Sequence, residues 1–243
     1  MDGEQSPRFD TFANEQVAVV DNFDALISTP LIGSVNAICW RRTLTGDFGE
    51  VARALATRDI EEPIVALDET VLLGLALSRS GKKAVEEMLW DLRLLKEREL
   101  LPELNFIRAY PREQQPGVVP LDVYSFHADS ATVPTDTYLC TYFGQSSEAV
   151  RNDEVARYID RPEVRAALRA EFGAGSDEAF NDYLRDAGYD LHYSANAGAR
   201  PFSFGVGNLW KIATDYPGNL AAPCIHRAPT TSTNDLPRLL LIS

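Results

Sequence analysis

The sequence is poor in cysteine and histidine, and it has no long apolar run. Its three cysteines, Cys39, Cys140 and Cys224, lack the spacing of a zinc site and suggest no set of disulfides, which favours a reducing, cytoplasmic environment. No segment approaches the roughly 18 consecutive apolar residues of a membrane-spanning helix. The N-terminus begins Met-Asp-Gly-Glu and is too acidic and polar for a signal peptide.

Positive charge is also scarce. The chain has 23 lysines and arginines against 36 acidic residues, which gives a formal net charge of -13. Binding to a nucleic-acid backbone requires clustered basic side chains, and so does an electrostatic contact with a membrane surface. The sequence therefore predicts neither partner and favours a small molecule instead.

The order of helical and strand-like segments indicates the fold class. We expect a flexible N-terminus at 1–15 and one domain over 16–243. Amphipathic helices are predicted first, at 47–58 with Asp47 as the N-cap and at about 83–99. Strands follow at 104–110, 123–128, 137–143, 202–204, 207–213, 223–227 and 238–243. This order predicts a mainly β domain with flanking helices (α+β), arranged as a jelly roll.

A helical block interrupts these strands. We expect it to span about 148–200, with a capping box at Asp160-Arg-Pro-Glu163 and another helix that begins at Ser176 and ends at Gly188. Long insertions between core strands are usually found at the mouth of a site. We therefore predict a lid, with a decoration packed on the outside of the barrel as the alternative.

The pair His127-Ala-Asp129 is the most informative motif. Side chains at i and i+2 of a strand point to the same face, so both can bind one metal ion. His226, one of only three histidines, would add the third ligand from another strand. Two histidines and one carboxylate leave open positions and are typical of a non-haem iron(II) centre. Arg238 follows twelve residues later and would suit an acidic cosubstrate.

In residue type and order this set resembles the iron(II)- and 2-oxoglutarate-dependent dioxygenase superfamily, over roughly 105–243 without the helical block. The resemblance implies a double-stranded β-helix in which His127, Asp129 and His226 are catalytic and bind Fe(II). It implies that Arg238 binds the far carboxylate of 2-oxoglutarate. Segments 35–42, 139–142 and 225–229 are also similar to an uncharacterised bacterial family of this general shape, which names no substrate.

The sequence departs from the superfamily's pattern beside Arg238. Leu239 and Leu240 follow it, whereas the superfamily often has Arg-x-Ser there. The hydroxyl partner for the cosubstrate must then come from elsewhere, and Tyr110 is the first candidate, with Thr141 and Tyr142 next. Related halogenases replace the carboxylate ligand with a small residue, so retention of Asp129 favours hydroxylation or a related oxidation.

The expected reaction is hydroxylation of a small molecule, such as an amino acid or a specialised metabolite, with dioxygen. Arg227, His192 and Arg200 are candidate substrate-binding residues, although a surface ion pair at Arg227 and a lid or core role for His192 are also open. Two other functions stay open as well. One is a cupin-like metal oxygenase without 2-oxoglutarate, and the other is a non-catalytic jelly-roll binding module.

Overall fold

A computed structural model describes residues 14–58, 62–112, 117–230 and 236–243. The predicted flexible segment 1–15 falls almost entirely outside these residues. Helices and strands contribute similar shares of the chain, so the protein is mixed α/β, and the expectation of a mainly β fold is corrected. No helix in these ranges is long and apolar enough to cross a membrane.

Thirteen strands and six α-helices lie in the described ranges. The strands are β1 (Val17–Val20), β2 (Ala37–Trp40), β3 (Ile64–Leu67), β4 (Glu103–Ile107), β5 (Phe126–His127), β6 (Asp136–Phe143), β7 (Glu148–Ala149), β8 (Val155–Arg157), β9 (His192–Ala195), β10 (Phe202–Ser203), β11 (Leu209–Ala213), β12 (His226–Arg227) and β13 (Arg238–Ile242). The helices are α1 (Phe23–Ser28), α2 (Phe48–Ala56), α3 (Glu69–Leu73), α4 (Arg79–Lys96), α5 (Pro162–Phe172) and α6 (Asp177–Asp186). Short 3-10 turns cover Asn152–Glu154, Tyr158–Asp160 and Tyr189–Leu191.

Side-chain caps fix where several helices begin. The Asp47 carboxylate accepts from a backbone N–H of the first turn of α2, as predicted, and Ser176 caps α6 in the same way. Gly188 takes a left-handed conformation with φ of 71° and follows the end of α6. Helix α4 begins four residues earlier than expected, because the Ser78 hydroxyl accepts two N–H groups of its first turn.

The predicted capping box at 160–163 is wrong. The N-cap of α5 is Arg161, whose side chain makes no capping hydrogen bond. Pro162 occupies the first turn, where its missing N–H costs nothing and its fixed φ suits a helix. Asp160 belongs to the preceding 3-10 turn and pairs with Arg157.

The strands form two sheets. The major sheet has the order β1-β2-β11-β6-β13-β4-β3 and is antiparallel except for the parallel pair β1–β2. The minor sheet has the order β10-β7-β12-β5-β9-β8, is antiparallel throughout and curls into a half-barrel. Neighbours in both sheets are far apart in sequence, so long-range pairing brings the motif residues together.

The two faces of the major sheet have different partners. On β6, Tyr138, Cys140 and Tyr142 face α2, α4 and the other N-terminal helices in the largest apolar cluster. Leu139 lies on the opposite face, in a second cluster with Trp210 of β11 and residues of the minor sheet. Helices therefore flank one face of the major sheet, and the largest apolar cluster lies between that face and the helices.

The block 148–200 is only partly helical, which corrects the expected boundaries. Its ends supply β7, β8 and β9 to the minor sheet. Helices α5 and α6 enclose a separate small apolar cluster that includes Val119 and Ile159. The strands of this block are thus part of the framework of the minor sheet, whereas the helix pair packs beside it.

Candidate metal centre

The minor sheet brings the two predicted ligand histidines face to face. His127 of β5 and His226 of β12 are direct register partners, and their ring centres lie 4.7 Å apart. Asp129 follows two residues after His127, and one ligand atom from each of the three side chains lies within 4.8 Å of the others. His127, Asp129 and His226 therefore form a group that could hold a metal ion.

Both histidine rings are oriented by the backbone. Nδ1 of His127 lies 2.8 Å from the carbonyl oxygen of Ser125, and Nδ1 of His226 lies 3.2 Å from that of Cys224. A carbonyl oxygen only accepts, so each Nδ1 carries the hydrogen and donates it. Each Nε2 is left with a lone pair, and that of His226 lies 3.8 Å from Oδ1 of Asp129.

Asp129 is oriented by a residue that the sequence analysis did not identify. Oδ2 of Asp129 accepts a hydrogen bond of 2.6 Å from the hydroxyl of Thr137 on β6. Thr137 is buried and belongs to the major sheet, so this bond joins the two sheets at the site. It leaves Oδ1 of Asp129 facing His226. In the sequence, the alternation along β6 puts Thr137 on the same face as Leu139. No local pattern indicates that Asp129 would lie next to Thr137.

The electrostatics favour the ligand forms of His127 and Asp129. Burial, and then the neighbouring His226, lower the pKa of His127 to about 4, so its ring is neutral at neutral pH. Burial acts to raise the pKa of the Asp129 carboxyl, but His226, the Thr137 hydrogen bond and His127 together hold it below its usual value. A neutral imidazole and an ionised carboxylate are the forms that bind a divalent cation.

Arg238 is buried, and it has no ionic partner among the described residues. Its side chain is 1% exposed, and no described carboxylate forms an ion pair with it. Nη1 donates to the hydroxyl of Tyr110 at 2.7 Å, and Nη2 donates to the hydroxyls of Ser147 at 3.0 Å and Thr141 at 3.3 Å. Nε is buried and has no hydrogen-bond partner among the described residues.

The surroundings of Arg238 are suited to binding an anion. Burial lowers the pKa of Arg238, yet a guanidinium keeps its proton in proteins. A buried charge that is solvated only by neutral hydroxyls is costly unless an anion binds it. The planar fork of Arg238 suits a carboxylate, and its orphaned Nε is a donor that such a ligand would satisfy.

One cavity connects the two features. It has a volume of about 270 Å³, and its lining includes the three ligand residues together with Tyr110 and Ser147, which both contact Arg238. Arg238 itself does not line this cavity, so an anion bound in it beside these hydroxyls would share one space with the metal group and lie next to the groups that hold the guanidinium. Ser147 was missed in the sequence because it lies in a short loop before β7 with no periodic pattern.

Tyr142, a predicted cosubstrate residue, lies on the wrong side of the major sheet. Its hydroxyl donates to Oδ2 of Asp91 at 2.6 Å, and its ring stacks on Phe48 at 5.6 Å. Successive residues of a strand point to opposite faces, so Thr141 and Tyr142 cannot both face Arg238. Thr141 is the one that does.

Two predicted substrate residues also lie elsewhere. Arg227 points away from the neighbouring His226, pairs with Glu148 of β7 at 2.6 Å and covers the ring of Phe126 at 4.3 Å. The surface ion pair weighed for Arg227 in the sequence is therefore the arrangement observed. Arg200 is exposed, and its backbone N–H donates to Glu154. Neither arginine lines the cavity.

His192, the third predicted substrate residue, lies beside the metal group. It is the register partner of His127 on β9, and the two ring centres lie 5.8 Å apart. Nδ1 of His192 lies 2.9 Å from the Ser125 hydroxyl, while the carbonyl of Ser125 holds His127. The three histidines therefore form a row across β12, β5 and β9.

No protein-family model matches this chain, and no curated protein and no solved structure matches it either. A function for this site is therefore argued from the geometry of its residues.

Proposed function

We propose that the protein is a non-haem iron(II)- and 2-oxoglutarate-dependent oxygenase that hydroxylates a small molecule. The observation that carries this proposal is one cavity bordered by a His-Asp-His group and by the hydroxyl partners of a buried arginine that forms no ion pair with a described residue. The two sheets, with both histidine ligands on the curled minor sheet, are consistent with a double-stranded β-helix.

Each residue of the site then has a defined task. When bound, iron and 2-oxoglutarate would supply the oxidation in which one oxygen atom of O2 enters a substrate C–H bond and the other enters succinate, with release of CO2. His127, Asp129 and His226 hold the metal and leave positions open. Arg238 and Tyr110 bind the far carboxylate of the cosubstrate, and Thr141 and Ser147 orient the guanidinium. The aliphatic walls of the cavity limit the access of water to the metal group.

His192 is not among the cavity-lining residues, but its ring centre lies 5.8 Å from that of the candidate ligand His127, and we propose it as a substrate contact beside the metal group. The Ser125 hydroxyl lies 2.9 Å from the Asp122 carbonyl and 3.1 Å from the Pro120 carbonyl, so its single hydrogen is used there. It must accept the hydrogen of His192 Nδ1, which leaves Nε2 of His192 as an acceptor for a substrate O–H or N–H group. We expect His192→Phe to keep Mn(II) affinity and to lower substrate-dependent succinate release. Loss of Mn(II) binding as severe as in His226→Phe would instead make His192 a metal ligand.

An anaerobic titration tests the proposed function. Fe(II) and then 2-oxoglutarate are added to the protein, and the visible charge-transfer band of an Fe(II)–2-oxo acid chelate is recorded. We expect the band in the wild type and its loss in Asp129→Ala. Arg238→Met should still bind Fe(II) but require about tenfold to more than a hundredfold more 2-oxoglutarate, since a charge-assisted contact contributes about 1.5–3 kcal/mol.

Arg227→Met is the matched control, because Arg227 pairs with Glu148 and, unlike Arg238, makes no hydrogen bond to a cavity-lining residue among those described. It should titrate like the wild type. Iron binding without a 2-oxoglutarate band would favour a metal oxygenase that does not use this cosubstrate. Absence of metal binding would favour a non-catalytic binding module.

A further inference from the structure

The cavity walls beyond the metal group and the Arg238 contacts are aliphatic. The large side chains among them are Ile64, Ile107, Val123, Leu139, Leu240 and Ile242. They come from the inner faces of four neighbouring strands of the major sheet and from the loop before β5. The other polar lining side chain, Asn105, is uncharged. A ligand that fills this space therefore meets mainly hydrocarbon.

The cavity also offers a substrate no free charge. Among the described residues, no lysine or arginine lines it. Arg238 lies behind Tyr110 and Ser147 and is taken by the cosubstrate in the proposed function. Asp129, the acidic lining residue, is taken by the metal. A substrate carboxylate or ammonium group inside the cavity would lose its hydration without gaining a partner.

The aliphatic wall continues to the outer surface. Ile64 and Val123 are each 37% exposed and Ile242 is 38% exposed, although all three line the cavity. The volume of about 270 Å³ is below the roughly 300–1,000 Å³ usual for a drug-sized ligand, and the space must also admit 2-oxoglutarate. The space left beside 2-oxoglutarate is small, and a substrate larger than this space would extend across the rim.

We propose that the substrate presents an uncharged aliphatic group to the metal, bound by the aliphatic wall, and carries no ionised group inside the cavity. The inference rests on the proposed function and narrows its substrate class. It disfavours a free amino acid whose carboxylate and ammonium groups would both lie next to the reacting carbon. It favours molecules such as amides or alcohols that carry an alkyl chain.

Relaxation of NMR signals by bound Mn(II) tests this directly, without turnover. Mn(II) replaces Fe(II), 2-oxoglutarate is kept saturating so that Arg238 is occupied, and pentanamide, pentanoate and pentylammonium are compared. Mn(II) broadens the terminal methyl signal of a probe whose chain enters the cavity. We expect pentanamide to bind at least about tenfold more tightly than either ion, because an unpaired buried charge is strongly disfavoured. Equal or tighter binding of pentanoate or pentylammonium, or no broadening of any probe, would overturn the proposal.

One rim variant and one control variant sharpen the result. Val123→Lys places a cation at the exposed edge of the cavity and should increase the broadening of pentanoate while reducing that of pentanamide. Leu73→Lys, a control on α3 at a residue that is 64% exposed and outside the cavity, should leave all three probes unchanged. Identical probe binding in Val123→Lys and the wild type would contradict the assignment of the rim. Calorimetry of Mn(II) and 2-oxoglutarate comes first, so failure of the proposed function itself is recognised separately.

Discussion

At the scale of single residues, each candidate ligand uses one polar atom for anchoring and keeps another for the metal. His127 and His226 each donate Nδ1–H to the carbonyl two residues earlier, which frees Nε2. Asp129 uses Oδ2 to accept from Thr137, which frees Oδ1. Such outer partners fix the ligand geometry before metal arrives, and their loss weakens metal affinity.

Thr137→Val should therefore weaken Mn(II) binding by about tenfold to a hundredfold, because it removes the hydroxyl that orients Asp129 and leaves the methyl packing nearly unchanged. Isothermal titration calorimetry measures the change. The matched control is Thr57→Val, at a threonine whose hydroxyl contacts only the end of α2. Equal affinities for wild type and Thr137→Val would remove this threonine from the site.

The lowered pKa of His127 makes the metal-free protein sensitive to acid. Between a pKa of about 4 when folded and the ordinary value of 6.5 when unfolded, the unfolded chain binds the extra proton, so stability falls as the pH falls through this window. The contribution of His127 lost between about pH 7 and about pH 5 is on the order of 2 kcal/mol. Urea unfolding at both pH values measures it, and His127→Gln should reduce the loss by that amount. Equal losses in both proteins would contradict this origin.

At the scale of elements, the block 148–200 combines framework strands with a helix pair. Strand β7 pairs with β12, which carries His226, and β9 pairs with β5, which carries His127. Among the described residues, none from α5 or α6 lines the cavity. If the helix pair forms a lid, it therefore covers the mouth of the cavity and is not part of the cavity wall. The lid stays a prediction.

Two excisions separate these parts. Replacing residues 161–187 with a short Gly/Ser linker should leave Mn(II) affinity unchanged, because the strands that border the metal group are kept. Replacing 148–200 should abolish Mn(II) binding, because β7 and β9 are lost from the minor sheet. Calorimetry and circular dichroism of both variants give the comparison. Loss of Mn(II) binding in a folded 161–187 variant would show that the helix pair supports the site.

At the scale of the whole molecule, the largest apolar cluster and the site lie on opposite faces of the major sheet. The cluster joins that sheet to α2 and α4 and includes none of the candidate metal ligands. Burial on this scale does not need a metal. The framework is therefore expected to fold first and to present a prearranged site.

Removal of metal should leave the fold intact. After treatment with EDTA, the protein should keep its circular dichroism and unfold cooperatively in urea. Addition of Mn(II) at about one hundred times its Kd should then raise the free energy of unfolding by about 2.7 kcal/mol, because only the folded state binds it. Loss of near-ultraviolet dichroism on chelation would instead mean that the metal holds the two sheets together.

The sequence predicted those parts of the fold that have a strong local signal. The caps Asp47 and Ser176, the long helix α4 and the eight-residue strand β6 each have a cap or a period that stands out. Helices α1 and α3 were missed, because six or five residues are too few to show an apolar stripe. The two-residue strands of the minor sheet show no alternation either, so the sequence could not give their pairing.

For the candidate site, the sequence alone identified the three side chains that could hold a metal ion. The i,i+2 spacing of His127 and Asp129 is local chemistry, and the scarcity of histidine singled out His226. Only the tertiary structure decided that Thr137 and Ser147 contribute, that Tyr142 faces the helices, and that Arg227 and Arg200 lie outside the cavity. These outcomes depend on which strands pair and on which face each residue takes. A shift of one residue in the register of a strand moves each of its side chains to the other face of the sheet. The register between two distant segments cannot be predicted from either segment alone.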